Sequence, residues 1–141
     1  SVLKQNLKEW LNRYRMINDT IDILDAKVVN IGIEFTILSD TGVNKFDVLD
    51  EATVNLRTKL VRDMFIGERF LITEAYKILN ATRGVADVTA VKLINKRGGK
   101  YASTGMDVDV FMSTDGRYLS CPDNVAFEIK YPRTDIKGTV K

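Results

Sequence analysis

The chain has no histidine and only one cysteine among its 141 residues. Without imidazole, the commonest general base, the commonest zinc ligand and every serine or cysteine triad built on histidine are excluded. A single thiol, Cys121, cannot close an intrachain disulfide, as expected in a reducing compartment. Between Leu119 and Pro122 it reads as a small apolar strand residue and not as a nucleophile or metal ligand. An excess of one charge is also lacking: 21 Lys and Arg oppose 19 Asp and Glu, spread along the sequence without runs. An extended nucleic-acid surface is therefore not expected. No apolar run approaches the ~18 residues that cross a bilayer, and no signal-peptide pattern opens the chain. The start at Ser1 without methionine fits a processed chain or, preferably, a piece cut from a larger protein.

What the sequence does have is enough apolar residues, 45% of the total, for one core with a small appendage. The clearest pattern runs from Val28 to Ile94. Val29, Ile31, Ile33, Phe35 and Ile37 alternate with Asn30, Gly32, Glu34 and Thr36, which predicts a half-buried strand. Asp47 is placed to cap a following helix ending near Phe65, with Leu49, Ala52, Leu56, Leu60 and Met64 as its apolar stripe. Thr73 opens a second helix, and Gly84 is the expected left-handed residue at its end. Val85 to Ile94 returns to strand. Two antiparallel strands with both helices on one face give an α+β layer.

On either side of this layer the pattern changes. Val2 to Met16 reads as an amphipathic helix with Leu3, Leu7, Trp10, Leu11 and Tyr14 along one face. Such a face either packs on its own domain or serves as a partner-binding arm with large aromatic anchors. Ile21 and Ile23 then start an extended approach to the first strand. After Lys96 to Lys100, a basic loop with paired glycines, Met106 to Met112 alternates, and Asp115-Gly116 is a hairpin signal. Val125, Phe127, Ile129 and Tyr131 alternate again up to Pro132, so an antiparallel meander is expected over this end. Thr134 to Lys141 is a polar tail whose Ile136 and Val140 are spaced for an edge strand. The expected organisation is a helical arm over 1–20, an α+β core over 21–97 and a meander with its tail over 98–141, packed on the same core.

Candidate chemistry is sparse. Asp107 and Asp109, projecting from one side of a strand, are close enough to share a cation, but they lack the loop spacing and glycine of an EF-hand. The loop from Lys96 to Lys100 lacks the helix start that phosphate-binding loops use. Glu34 and Glu128 would make an acid and base pair only if the fold brought them together. A small ligand-binding or enzymatic domain using Asp107, Asp109 and this loop is the alternative reading. The preferred one has no catalysis, cofactor, metal or small-molecule substrate.

The order of these segments carries a family resemblance. A leading helix with Leu7, Leu11 and Tyr14-Arg15 precedes the strand VVNIGIEFTI and a long helix ending in an aromatic. The helix ITEAYKIL then runs into Arg83-Gly84-Val85-Ala86-Asp87-Val88 and the strand VTAVKL. Together they resemble the baseplate J-like group, wedge proteins of contractile-tailed bacteriophages, over Leu3 to Leu93. The closing DGRYLSCPDNVAFEIKYPRTDIKG resembles the C-terminal end of the large wedge subunit in myoviruses, which implies a C-terminal fragment of that subunit. The strand-rich end from Gly98 departs from the smaller members of the group. The resemblance implies a structural virion component in the tail baseplate, forming a ring around the central hub through contacts with other copies and other wedge proteins. It implies no catalytic residues, and the charge balance and the lack of a long apolar run lead to the expectation of no nucleic-acid or membrane partner. Apolar surface for such contacts is expected from Leu7, Trp10, Leu11 and Tyr14 on the first helix and from Ile136 and Val140 on the terminal strand.

Overall fold

A computed structural model describes residues 1–13 and 25–141. In chain order the elements are α1 (Val2–Asn12), β1 (Lys27–Ser39), α2 (Lys45–Leu60), β2 (Phe70–Leu71), α3 (Ile72–Asn80) and β3 (Val85–Lys96). There follow α4 (Val108–Phe111), β4 (Tyr118–Leu119), β5 (Val125–Glu128), α5 (Pro132–Asp135) and β6 (Ile136–Val140). The fold is α+β, and β1 is its axis. The apolar face expected from the sequence, Val29, Ile31, Ile33, Phe35 and Ile37, is buried, but Asn30 and Gly32 on the opposite face are buried as well, so this half of β1 is covered on both sides and not half-buried.

On one side β1 pairs antiparallel with β3, from Asn30 opposite Lys96 to Ser39 opposite Val85. Two register shifts, at Thr36/Ile37 and Leu38/Ser39, interrupt this ladder. Bulges of this kind sharpen the twist of a long strand pair. Both helices lie where the strand order predicts, α3 against β3 and α2 against α3 and β6.

The other side of β1 overturns the expected meander. β5 runs parallel to β1 along Lys27 to Asn30, and β6 runs parallel to it along Ile33 to Ile37. The two lie end to end on one edge, as a single strand interrupted by α5. Seven residues along β1, from Lys27 to Ile33, correspond to twelve from Val125 to Ile136, so five residues are looped out. Pro132 explains the break, because it has no N–H for the ladder and its fixed φ suits the first turn of a helix. The Asp135 carboxylate stabilises the turn by accepting the Tyr131 N–H at 3.1 Å. From α2, Arg57 ties down the carbonyls of Pro132 and Arg133, each at 3.0 Å.

Helix boundaries also differ from the expectation. Asn44 caps α2 by accepting the Phe46 N–H at 3.0 Å, leaving Asp47 in the first turn, where its charge still favours the helix dipole. The helix stops at Leu60 and not near Phe65, because the next segment is held as a separate loop. Val48, Ala52, Leu56 and Leu60 form its buried stripe, with Leu49 and Met64 half-buried beside it. α3 begins at Ile72, and Gly84 does have a positive φ, +86°, in the turn that leads from α3 into β3. Met106 to Met112 is not a strand: Val108–Phe111 forms one helical turn. The turn at Asp115-Gly116 is present, bringing Met112 opposite Leu119, but β4 pairs with β2 in a small second sheet.

Candidate interaction surface

α1 starts at Ser1, whose hydroxyl accepts the Lys4 N–H at 3.3 Å. None of its residues is buried. Leu3, Leu7 and Trp10, at spacings of four and three, are 77%, 45% and 53% exposed, while Leu11 is half-buried. Lys4 forms an ion pair with Asp25, and that ammonium holds the Asp25 carboxyl below its usual range. The reading of α1 as a helix packed into its own domain is therefore corrected: the core closes without it. Its expected continuation to Met16, including Tyr14, and the extended approach through Ile21 and Ile23 lie outside the described residues.

In the other half of the expected surface Ile136 is buried and Val140 is half-buried, on a strand whose one partner among the described residues is β1. Ile136 is 1% exposed and sits beside Ile33 on the β1 ladder. Val140 is half-buried against the core. The spacing that marked an edge strand was read correctly as a strand seeking a partner, but the partner is β1 of the same chain. Gly138 makes this close approach possible, since a Cβ there would collide with the Phe35 ring and with Leu49 of α2.

The residues considered for chemistry are spent on structure. Asp107 caps α4 by accepting the Asp109 N–H at 3.0 Å, so the two carboxylates share a helical turn and not a strand face. Glu128 pairs beside Asn30, and Glu34 lies four residues further along β1, roughly 13 Å away at strand spacing. The loop after Lys96 is exposed from Arg97 to Lys100, and the chain beyond it folds back over the sheet without forming a hairpin. Ala102 N–H donates to Asn30 Oδ1 at 2.7 Å, and Lys130 Nζ donates to Lys100 O at 2.5 Å. Tyr101 donates its hydroxyl to the buried Asp135 carboxylate at 2.5 Å, which pushes the phenol pKa up to about 12. Among the described residues no group of three or more Cys, Asp or Glu side chains is placed to hold a metal ion.

One exposed feature was missed in the sequence. Phe65 and Ile66, expected at the end of a helix, stand on a turn at 79% and 59% exposure. Arg62 reaches across the base of that turn to Glu68, with Nη–Oε distances of 2.5 and 3.2 Å. This pair, together with the Phe65 N–H, holds the Glu68 carboxyl below its usual range. The available signal was an apolar pair directly before Gly67, bracketed by opposite charges at 62 and 68.

The sequence matches no family model, and no curated protein matches it.

Proposed function

We propose that this chain is a structural component of a contractile phage tail, a baseplate wedge protein that forms ring contacts around the central hub through interfaces between subunits. The partners are other copies of the chain and other wedge proteins, and the site of action is the virion. The reading rests on the resemblance of the helix, strand, helix, helix, strand order to baseplate J-like proteins. One observation supports it most: Leu3 and Leu7 of α1 are 77% and 45% exposed while the buried core contains no residue of this helix. Large aromatic and aliphatic side chains left on one helical stripe are what a helix-in-groove contact uses, and Trp is the residue most enriched at such anchors.

The test is co-purification of tagged chain with the other wedge proteins, followed by the Leu7→Ala, Trp10→Ala variant. Loss of at least tenfold in affinity with an unchanged far-ultraviolet dichroism spectrum of the isolated chain is expected. Full retention of assembly by the variant would remove α1 from the interface, and binding to no wedge protein would overturn the function itself.

A further inference from the structure

A hollow of about 490 Å³ lies between α2 and the open edge of β6, and it shares no residue with α1 or with the turn that carries Phe65. The edge is open because β6 pairs on one side, with β1. Lys141 N–H donates to Ile37 O at 2.9 Å, and Ser39 N–H donates to Lys141 O at 3.3 Å. Backbone groups in such a ladder alternate, so Lys137, Thr139 and Lys141 turn theirs to β1. Gly138 turns its N–H and C=O the other way, to the open edge, and it lines the hollow. No side chain covers that N–H.

Three cations line the same hollow: Arg57 from α2, Arg133 from α5 and Lys137 from β6. None of them is in an ion pair among the described residues. Arg57 is half-buried and already oriented. Its Nε and Nη2 donate to the carbonyls of Pro132 and Arg133, which leaves both Nη1 hydrogens and the second Nη2 hydrogen, the end of the guanidinium fork, for another acceptor. Thr53, also in the lining, donates its hydroxyl to Leu49 O at 2.8 Å. Asp50 is the one acid there, so three cations against one carboxylate give the lining a net charge of +2. Like charges gathered without a counter-charge repel, and a bound anion removes that repulsion.

We infer that this hollow binds a phosphate-type dianion, either free phosphate or the terminal group of a phosphate ester, through Arg57, Arg133, Lys137 and the Gly138 N–H. Such a group carries a charge of roughly −2 near neutral pH, which matches the lining. Its oxygens point to the corners of a tetrahedron, so donors from α2, α5 and β6 can each take one. A carboxylate is planar and singly charged, and it would satisfy only part of this set. The site is independent of the assembly reading and uses no residue of α1.

Isothermal titration calorimetry of the whole chain at pH 8 and constant ionic strength tests this, with inorganic phosphate, glycerol 3-phosphate and acetate as probes. Saturable one-site binding of phosphate or its ester is expected, with a dissociation constant on the order of 1 mM, and the tighter of the two separates the free ion from the ester. Arg133→Gln and Lys137→Gln should each raise that constant about fivefold or more, and the first keeps the backbone carbonyl that Arg57 holds. Asp50→Asn should lower it, because a repelling charge is removed. Lys59→Gln deletes the same charge from an exposed position of α2 outside the hollow and should change it less than about twofold. Each variant should melt at the temperature of the parent chain in the absence of ligand. No saturable heat, binding indifferent to Arg133 and Lys137, binding weakened as much by Lys59→Gln, binding not improved by Asp50→Asn, or acetate bound as tightly as phosphate would each overturn the inference.

Discussion

Replacing Gly138 with alanine distinguishes a docked β6 from a solvated tail by the sign of its effect. On a loose or exposed strand the change should stabilise the protein by about 0.4–1 kcal/mol, because alanine narrows the unfolded ensemble. Gly138 has no positive φ, so backbone strain does not enter. In the structure its added Cβ would overlap the Phe35 ring and fall 2.8 Å from Leu49 Cδ1. Phe35 is 2% exposed and Leu49 is held by α2, so neither can move aside freely. Overpacking of this kind costs about 1–3 kcal/mol, and two constrained neighbours put the expectation at about 2–3 kcal/mol. At roughly 3–4 °C per kcal/mol for a chain of this size, the melting temperature should fall by about 6–12 °C. Urea unfolding followed by far-ultraviolet dichroism measures the loss. Adding Phe35→Leu should recover part of it, so that the double variant is at least about 1 kcal/mol more stable than additivity predicts. A neutral or stabilising Gly138→Ala would refute the parallel pairing of β6 under Phe35.

Three further outcomes are expected. Ile136→Ala should cost about 2–5 kcal/mol as a buried truncation, measured by the same unfolding curves, and a change under about 0.5 kcal/mol would return Ile136 to the surface. Tyr101, whose hydroxyl is held by Asp135, should ionise in a late step of an alkaline ultraviolet titration. Because its folded pKa is raised from 10.0 to about 12, the contribution to stability is complete below pH 10 and disappears as pH climbs through 12; Tyr101→Phe should abolish the late step. Burial pushes the Cys121 thiol up, so iodoacetamide at pH 8 should modify the folded chain more slowly than the urea-unfolded one, and equal rates would contradict that placement.

The central layer was legible because each of its elements has a period of its own. The alternation of β1 and the three-and-four spacing of α2 state both the element and its buried face without reference to anything distant. Ladder direction is different: Val125, Phe127 and Ile129 alternate identically whether the neighbouring strand is parallel or antiparallel, so β5 was found as a strand but given the wrong partner. Ile136 illustrates the same limit for burial. Its spacing marked a strand, but only the approach of β1 decides whether that strand is covered. Asp107 to Met112 failed for a local reason, since an aspartate that caps a single turn leaves too short a helix to display periodicity. On the candidate surface the stripe of α1 was readable, whereas Phe65 and Ile66 needed the Arg62 and Glu68 clamp, which no spacing rule anticipates.

The pairing of β1 with β5 and β6 constrains the order of events during synthesis. Its partners on that edge are encoded about a hundred residues downstream, so a ribosome must add that stretch before this side of the strand can be closed. Until then Ile31, Ile33 and Phe35 have only β3 and the two helices for shelter. Until that pairing forms, one edge of β1 has no strand beside it, and contacts so distant in sequence are the slow ones to close.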